Sequence, residues 1–249
     1  MSTRLEVHEL SVAYGGVHAV SDVTFSVTGG SIVGLIGPNG AGKTTTIDAV
    51  SGFTPSRGHV RLDGHALDDA PPHARARAGL VRTFQSVELF DDLSIRENLL
   101  VAALPTRWWA PFADAVAPRR GRNAQVDWAL DAVGLAGTGD VTPTDLSHGQ
   151  RRLVALARAL VTRPKVLLLD EPAAGLDPAE TMSLGNVLRS LPERGIGVLL
   201  VDHDMALVLS VCEHIVVLDF GRVIADGSPA AVRNDPAVVA AYLGTAGTP

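Results

Sequence analysis

The run Gly37-Pro38-Asn39-Gly40-Ala41-Gly42-Lys43-Thr44-Thr45 satisfies the pattern G-x-x-x-x-G-K-[ST] and directly follows the apolar stretch Ser31-Ile32-Val33-Gly34-Leu35-Ile36. Such a stretch dictates a buried strand, a tight loop and a helix, in that order. The glycines let the backbone close around an anion, and the helix start offers free N–H groups and the positive end of its dipole. Lys43 is then placed to reach β- and γ-phosphates, and the Thr44 hydroxyl to ligate Mg²⁺. The pattern specifies a nucleoside triphosphate without saying what its cleavage drives, because kinases, GTPases and transport ATPases share it.

The segments beyond the loop indicate the architecture. Val166-Leu167-Leu168-Leu169 and Val198-Leu199-Leu200-Val201 are short apolar runs, each ending in Asp, as expected of strands buried on both faces. They alternate with helical segments at 179–191 and 205–212 and with the run His214-Ile215-Val216-Val217-Leu218. That rhythm predicts a doubly wound, mostly parallel α/β sheet. Ahead of it, 5–12 and 23–27 alternate as half-buried antiparallel strands. The helical pattern between 93 and 160 reads as an inserted subdomain. Within it, Arg107-Trp108-Trp109-Ala110-Pro111-Phe112 is aromatic-rich in a chain with few aromatics, and either packs against neighbouring helices or forms a partner-binding patch. The expected organisation is a single nucleotide-binding domain over 1–249. Its catalytic core comprises 1–88 and 162–228, its helical subdomain 89–161 and its closing helical tail 229–249.

Composition excludes several classes. A net charge of -6 in 249 residues gives no global basic field for nucleic acid. The single cysteine, Cys212, has apolar neighbours and reads as buried and inert; it allows neither an internal disulfide nor a cysteine-rich metal site. No run approaches the roughly 18 uninterrupted apolar residues of a membrane span, and the N-terminus lacks the apolar core of a signal peptide.

Three further groups carry chemistry. Asp170 and Glu171 stand at the carboxyl end of a buried strand, where ligands of such sheets bind. Asp170 suits Mg²⁺, and Glu171 is a candidate base for the attacking water. Tyr14, between the first two strands, either stacks on an adenine ring or caps the strand end. Ser147 in Leu146-Ser147-His148-Gly149-Gln150 is a helix N-cap, and with Gly149 it also forms a second anion corner. A chain with one phosphate loop needs no second corner for itself, so this one is expected to serve the nucleotide of another subunit.

In that order of motifs the sequence resembles the ATP-binding subunits of ABC transporters over nearly its whole length. The resemblance implies a P-loop NTPase fold of the ABC type with an antiparallel β subdomain, and ATP with Mg²⁺ as ligands. Gly37, Pro38, Asn39, Gly40, Ala41, Gly42, Lys43, Thr44 and Thr45 would be Walker A, Tyr14 the adenine-stacking aromatic, and Gln85 the Q-loop glutamine, a catalytic and metal-site residue. Ser147, Gly149 and Gln150 would belong to the signature motif, and Asp177 to the D-loop. Glu171 would be the catalytic glutamate, and His203 the switch histidine; Thr44, Gln85 and Asp170 would serve the metal. Arg82-Thr83-Phe84-Gln85, Glu171-Pro172-Ala173-Ala174-Gly175, His203-Asp204-Met205 and Ala241-Tyr242-Leu243-Gly244 are similar to the larger ATPase of the branched-chain amino acid subfamily. His148 departs from the more usual tyrosine or glycine, and Asp177 from a frequent asparagine. The implied partners are membrane permease subunits, a second ATPase of the same or a different chain and, indirectly, a solute-binding protein, with no nucleic acid. The implied location is cytoplasmic, on the inner face of the cell membrane. The rivals are a soluble ABC-type ATPase acting on nucleic acid or the ribosome, and a scaffold subunit without turnover.

Overall fold

The computed structural model describes residues 3–84, 88–103 and 119–244, the last range without the side chains of 119–122, 243 and 244. Gln85 and the aromatic run 107–112 lie outside the described residues. The chain divides into two compact units. One comprises Met1–Gln85, Lys165–Gly175 and Leu188–Pro249; the other comprises Ser86–Pro164 and Leu176–Val187.

The first unit is built on a six-stranded sheet in the order β10-β9-β3-β8-β7-β6. Its parallel members are β6 (Leu80–Thr83), β3 (Ile32–Ile36), β7 (Val166–Asp170), β8 (Gly197–Val201) and β9 (His214–Asp219), while β10 (Arg222–Gly227) closes one edge antiparallel to β9. Every residue of β3, β7 and β8 is buried, which explains why their sequences are apolar without alternation. Helix α1 (Lys43–Ser51) follows β3 and leads away from this sheet, α2 (Pro72–Ala78) and α7 (Met205–Val211) lead back into it at β6 and β9, and α8 (Pro229–Arg233) and α9 (Pro236–Gly244) end the chain.

A second sheet, β2-β1-β4-β5, in which β4 is Arg57–Leu62 and β5 is His65–Ala66, is antiparallel. Here β1 (Arg4–Tyr14) and β2 (Val17–Thr28) run longer than their alternation suggests. Their register breaks between Val7 and Leu10, and Glu9 and Asp22 adopt left-handed backbone with φ 51° and 53°. Such bulges let pairing continue past polar residues. The Ser11 hydroxyl accepts from the Asp22 N–H at 2.9 Å, so the irregular backbone is partnered. The inward faces of both sheets and of α1 share one core, in which Leu5, Val23, Leu35, Ile47, Leu168 and Leu199 are all buried.

The second unit packs α3 (Ile95–Ala103), α4 (Arg119–Ala132) and α5 (His148–Leu160) around Ile95, Leu99, Val126, Leu130, Val154 and Leu160. Helix α6 (Pro178–Ser190) begins in this unit and ends in the first.

Candidate functional site

The carboxyl end of β3 delivers the chain into the phosphate loop at Gly37. A Cβ there would lie 2.1 Å from the Leu218 carbonyl oxygen, and one on Gly42 (φ 98°) would lie 2.6 Å from that of Ala19, so the loop closes only on glycine. Lys43 opens α1 and is only 7% exposed. Its Nζ folds back over the loop and donates to the carbonyls of Gly37 at 2.8 Å and Pro38 at 3.0 Å. Burial pushes this ammonium below the usual lysine range, and the carboxylates of Glu171 and Asp170 pull it the other way. The loop cation thus faces the two acids from the tip of β7. Thr44 is exposed and Thr45 half-buried on the first turn of the helix, while Asn39 and Gly40 form an exposed tip. Tyr14 ends β1 with 55% of its surface exposed, on the same hairpin that brings Ala19 against Gly42.

At the tip of β7, Asp170 is buried and Glu171 turns into left-handed backbone with φ 47°, a conformation rare outside glycine. The turn is held by the Glu171 N–H, which donates to the Val201 carbonyl at 2.7 Å. It aims the Glu171 carboxylate toward His203, whose Nδ1 lies 3.9 Å from Glu171 Oε2. That spacing is longer than a direct hydrogen bond. Asp170 and the Thr44 hydroxyl are hard oxygen donors of the kind Mg²⁺ takes alongside substrate phosphates. Among the described residues there is no group of three or more His, Cys, Asp or Glu that could hold a metal ion.

In the second unit, Ser147 caps α5 in a capping box: its oxygen accepts from the Gln150 N–H at 3.2 Å, and Gln150 Oε1 accepts from the Ser147 N–H at 3.0 Å. Glu180 joins these residues to Asp177. Its Oε1 accepts from the Ser147 hydroxyl at 3.1 Å and from the Gly149 N–H at 3.0 Å, and its own N–H donates to Asp177 Oδ1 at 2.8 Å. Ser147, Gly149, Gln150 and Asp177 therefore form one corner.

Four residues to which the sequence alone assigns no chemical role organise these two places. Asp202 is 1% exposed; its Oδ2 accepts from the Ala173 N–H at 3.1 Å and its Oδ1 from the Asp204 N–H at 2.9 Å. It ties the loop after Glu171 to the loop carrying His203. Arg82 pairs with Asp170. Tyr242 on α9 takes a hydrogen bond from the Gly37 backbone, and burial pushes its phenol above the usual range. Glu180 had a signal in the sequence, since Asp177-Pro178-Ala179-Glu180 has the spacing of a capping box. The others had none, because their partners are distant in the chain.

A sheet of this order, with a lysine cradle at one strand tip and acids at the next strand but one, defines a P-loop nucleoside triphosphatase. Joined to an antiparallel β layer and a helical unit, it has the build of an ATP-binding cassette. The chain belongs to the ABC transporter family, whose profile matches residues 20–174, and accordingly binds nucleotide and hydrolyses ATP. A second profile, described as branched-chain amino acid ATP-binding cassette transporter, matches residues 222–248. The high-affinity branched-chain amino acid transport ATP-binding protein BraF of Pseudomonas aeruginosa is 43% identical over 97% of this chain and 98% of its own length. Its counterpart LivG of Escherichia coli is 39% identical over the same shares. The lipopolysaccharide export system ATP-binding protein LptB of Acidithiobacillus ferridurans is also 39% identical, over 98% of each chain. Among solved structures, the ADP conformation of MJ1267, an ATP-binding cassette of an ABC transporter, superposes with a TM-score of 0.85 at 30% identity, covering 98% of this chain and 99% of that one. These relatives are transport subunits, which leaves the nucleic-acid and ribosome reading without support.

Proposed function

We propose that this chain powers the import of branched-chain amino acids, or of a related small polar solute, as one of two ATPase subunits docked on a membrane permease. The observation that carries the solute class is the match of residues 222–248 to the branched-chain profile, in a segment whose Tyr242 phenol also meets the Gly37 backbone of the phosphate loop. Among the described residues no helix is long and apolar enough to cross a membrane. The chain is held at the inner face of the cell membrane through its permease, with a solute-binding protein acting on the far side.

Each nucleotide lies between Lys43 and Thr44 of one subunit and Ser147 and Gly149 of a second, with Tyr14 against the adenine and Asp177 beside the signature corner. Glu171 takes a proton from water as the water oxygen bonds to the γ-phosphorus, and the bond from γ-phosphorus to the bridging oxygen breaks, leaving ADP and phosphate. His203 holds the γ-phosphate or the water, and Gln85 links the γ-phosphate to the helical unit. Thr44, Asp170 and Gln85 would hold Mg²⁺, which would supply neutralising positive charge to the phosphates. Loss of the γ-phosphate removes the bridging charge and lets the subunits part.

Uptake of radiolabelled leucine by cells lacking the gene tests the assignment. Restoration by the intact chain, and no restoration by Glu171→Gln, is the expected result. Unchanged leucine, isoleucine and valine uptake on deletion contradicts the solute class.

A further inference from the structure

The phosphate corner of the second unit already holds an anion, and that anion belongs to the chain. Glu180 Oε1 receives both the Ser147 hydroxyl, at 3.1 Å, and the Gly149 N–H, at 3.0 Å. These are the two donors that the shared-site reading gives to the nucleotide of the opposite subunit, and the inference rests on that reading. The fit is close: a Cβ on Gly149 would lie 2.6 Å from the Glu180 carboxyl carbon and from Oε1, so a side chain there would push the carboxylate aside. The second oxygen, Oε2, faces the Asp177 N–H at 3.4 Å, and the Glu180 N–H donates to Asp177 Oδ1 at 2.8 Å.

We propose that Glu180 is a built-in stand-in for the γ-phosphate, a specificity-determining carboxylate that must leave the Ser147–Gly149 corner before the partner's ATP can enter it. Two anions cannot share one serine hydroxyl and one backbone N–H, and like charges at contact distance repel strongly. Closure of the pair is therefore a competition between a side-chain carboxylate and a terminal phosphate. The γ-phosphate carries more charge and more acceptor oxygens and wins the corner; ADP lacks that group and leaves Glu180 in place. Subunit pairing thereby becomes conditional on the triphosphate. The same helix cap that steadies α6 sets the threshold, because Oε2 and the backbone of Glu180 remain tied to Asp177 while Oε1 is exchanged.

A neutral acceptor binds the same donors more weakly than a carboxylate. Glu180→Gln keeps an acceptor oxygen for the cap and removes the charge. In the full chain carrying Glu171→Gln to stop turnover, ATP-dependent self-association is followed by analytical ultracentrifugation across an ATP titration. Glu180→Gln should bring half-maximal pairing to about one tenth of the ATP concentration needed by its parent, equivalent to ~1.4 kcal/mol. A second variant, Glu180→Asp, keeps the charge but falls one carbon–carbon bond short of the corner, and should lower the threshold by less. If both variants need as much ATP as the parent, or more, Glu180 is a helix cap and nothing else. If the parent does not pair with ATP at all, or pairs equally well with Ser147→Arg, the shared-site reading fails and this inference fails with it. Failure confined to the Glu180 variants leaves the shared site standing.

Discussion

Arg82 and Asp170 meet through Nη2 and Oδ2 at 2.8 Å, with side chains only 7% and 9% exposed. The guanidinium also pairs with Asp48 and stands over the rings of Phe84 and Phe53, 5.0 and 5.8 Å from their centroids. One oxygen of the acid proposed for Mg²⁺ is thus fixed by a strand neighbour. Breaking a buried pair from one side leaves an uncompensated charge. Arg82→Ala should lower the unfolding free energy by about 3–5 kcal/mol, read from urea unfolding. A loss under ~1 kcal/mol would show that Asp170 does not depend on this partner.

Glu171→Gln should retain nucleotide binding while phosphate release falls at least ~10²-fold, the scale expected for a lost general base. Near-normal turnover would remove Glu171 from that role.

Lys43→Ala acts earlier. Its ammonium already lies on the phosphate loop with its charge disfavoured by burial, so an incoming phosphate is its natural counter-ion. Calorimetric titration should show weakened ATP binding for this variant; unchanged affinity would contradict the assignment.

Cys212 provides a pH test of the core. Burial raises its thiol from 9.0 to about 12, and an added Cβ on Gly34 would lie 3.0 Å from its sulfur. The folded state keeps the proton where the unfolded chain has lost it, so this group's stabilising contribution is complete below pH 9 and declines between 9 and about 12. The slope from this residue is at most ~1.4 kcal/mol per pH unit. Native protein at about pH 8, below the thiol's ordinary range, should resist iodoacetamide and react on unfolding; rapid native alkylation would contradict the burial.

The parts legible in the sequence were those whose cause is local. The phosphate loop follows from its own glycines, and β3, β7 and β8 follow from uninterrupted apolar runs. The helices at 178–190 and 205–211 end within a residue of their sequence boundaries. The hairpin of β1 and β2 was only half legible, because its bulges at Glu9 and Asp22 carry pairing through residues that break the alternation. Asp202 and Arg82 were not legible as organisers: one reaches back to Ala173 and the other forward to Asp170, and no spacing announces such partners. Glu180 was not legible as the occupant of a corner 31 residues away at Gly149.

The central claim is that no chain completes a nucleotide site without the Ser147–Gly149 corner of another. Its most direct test is the ATPase rate per chain of the purified protein, measured across a dilution series with and without Ser147→Arg. The rate per chain should fall on dilution toward the monomer, and the substitution should abolish it. A rate per chain that stays constant in a strict monomer, or that survives the substitution, would contradict the claim.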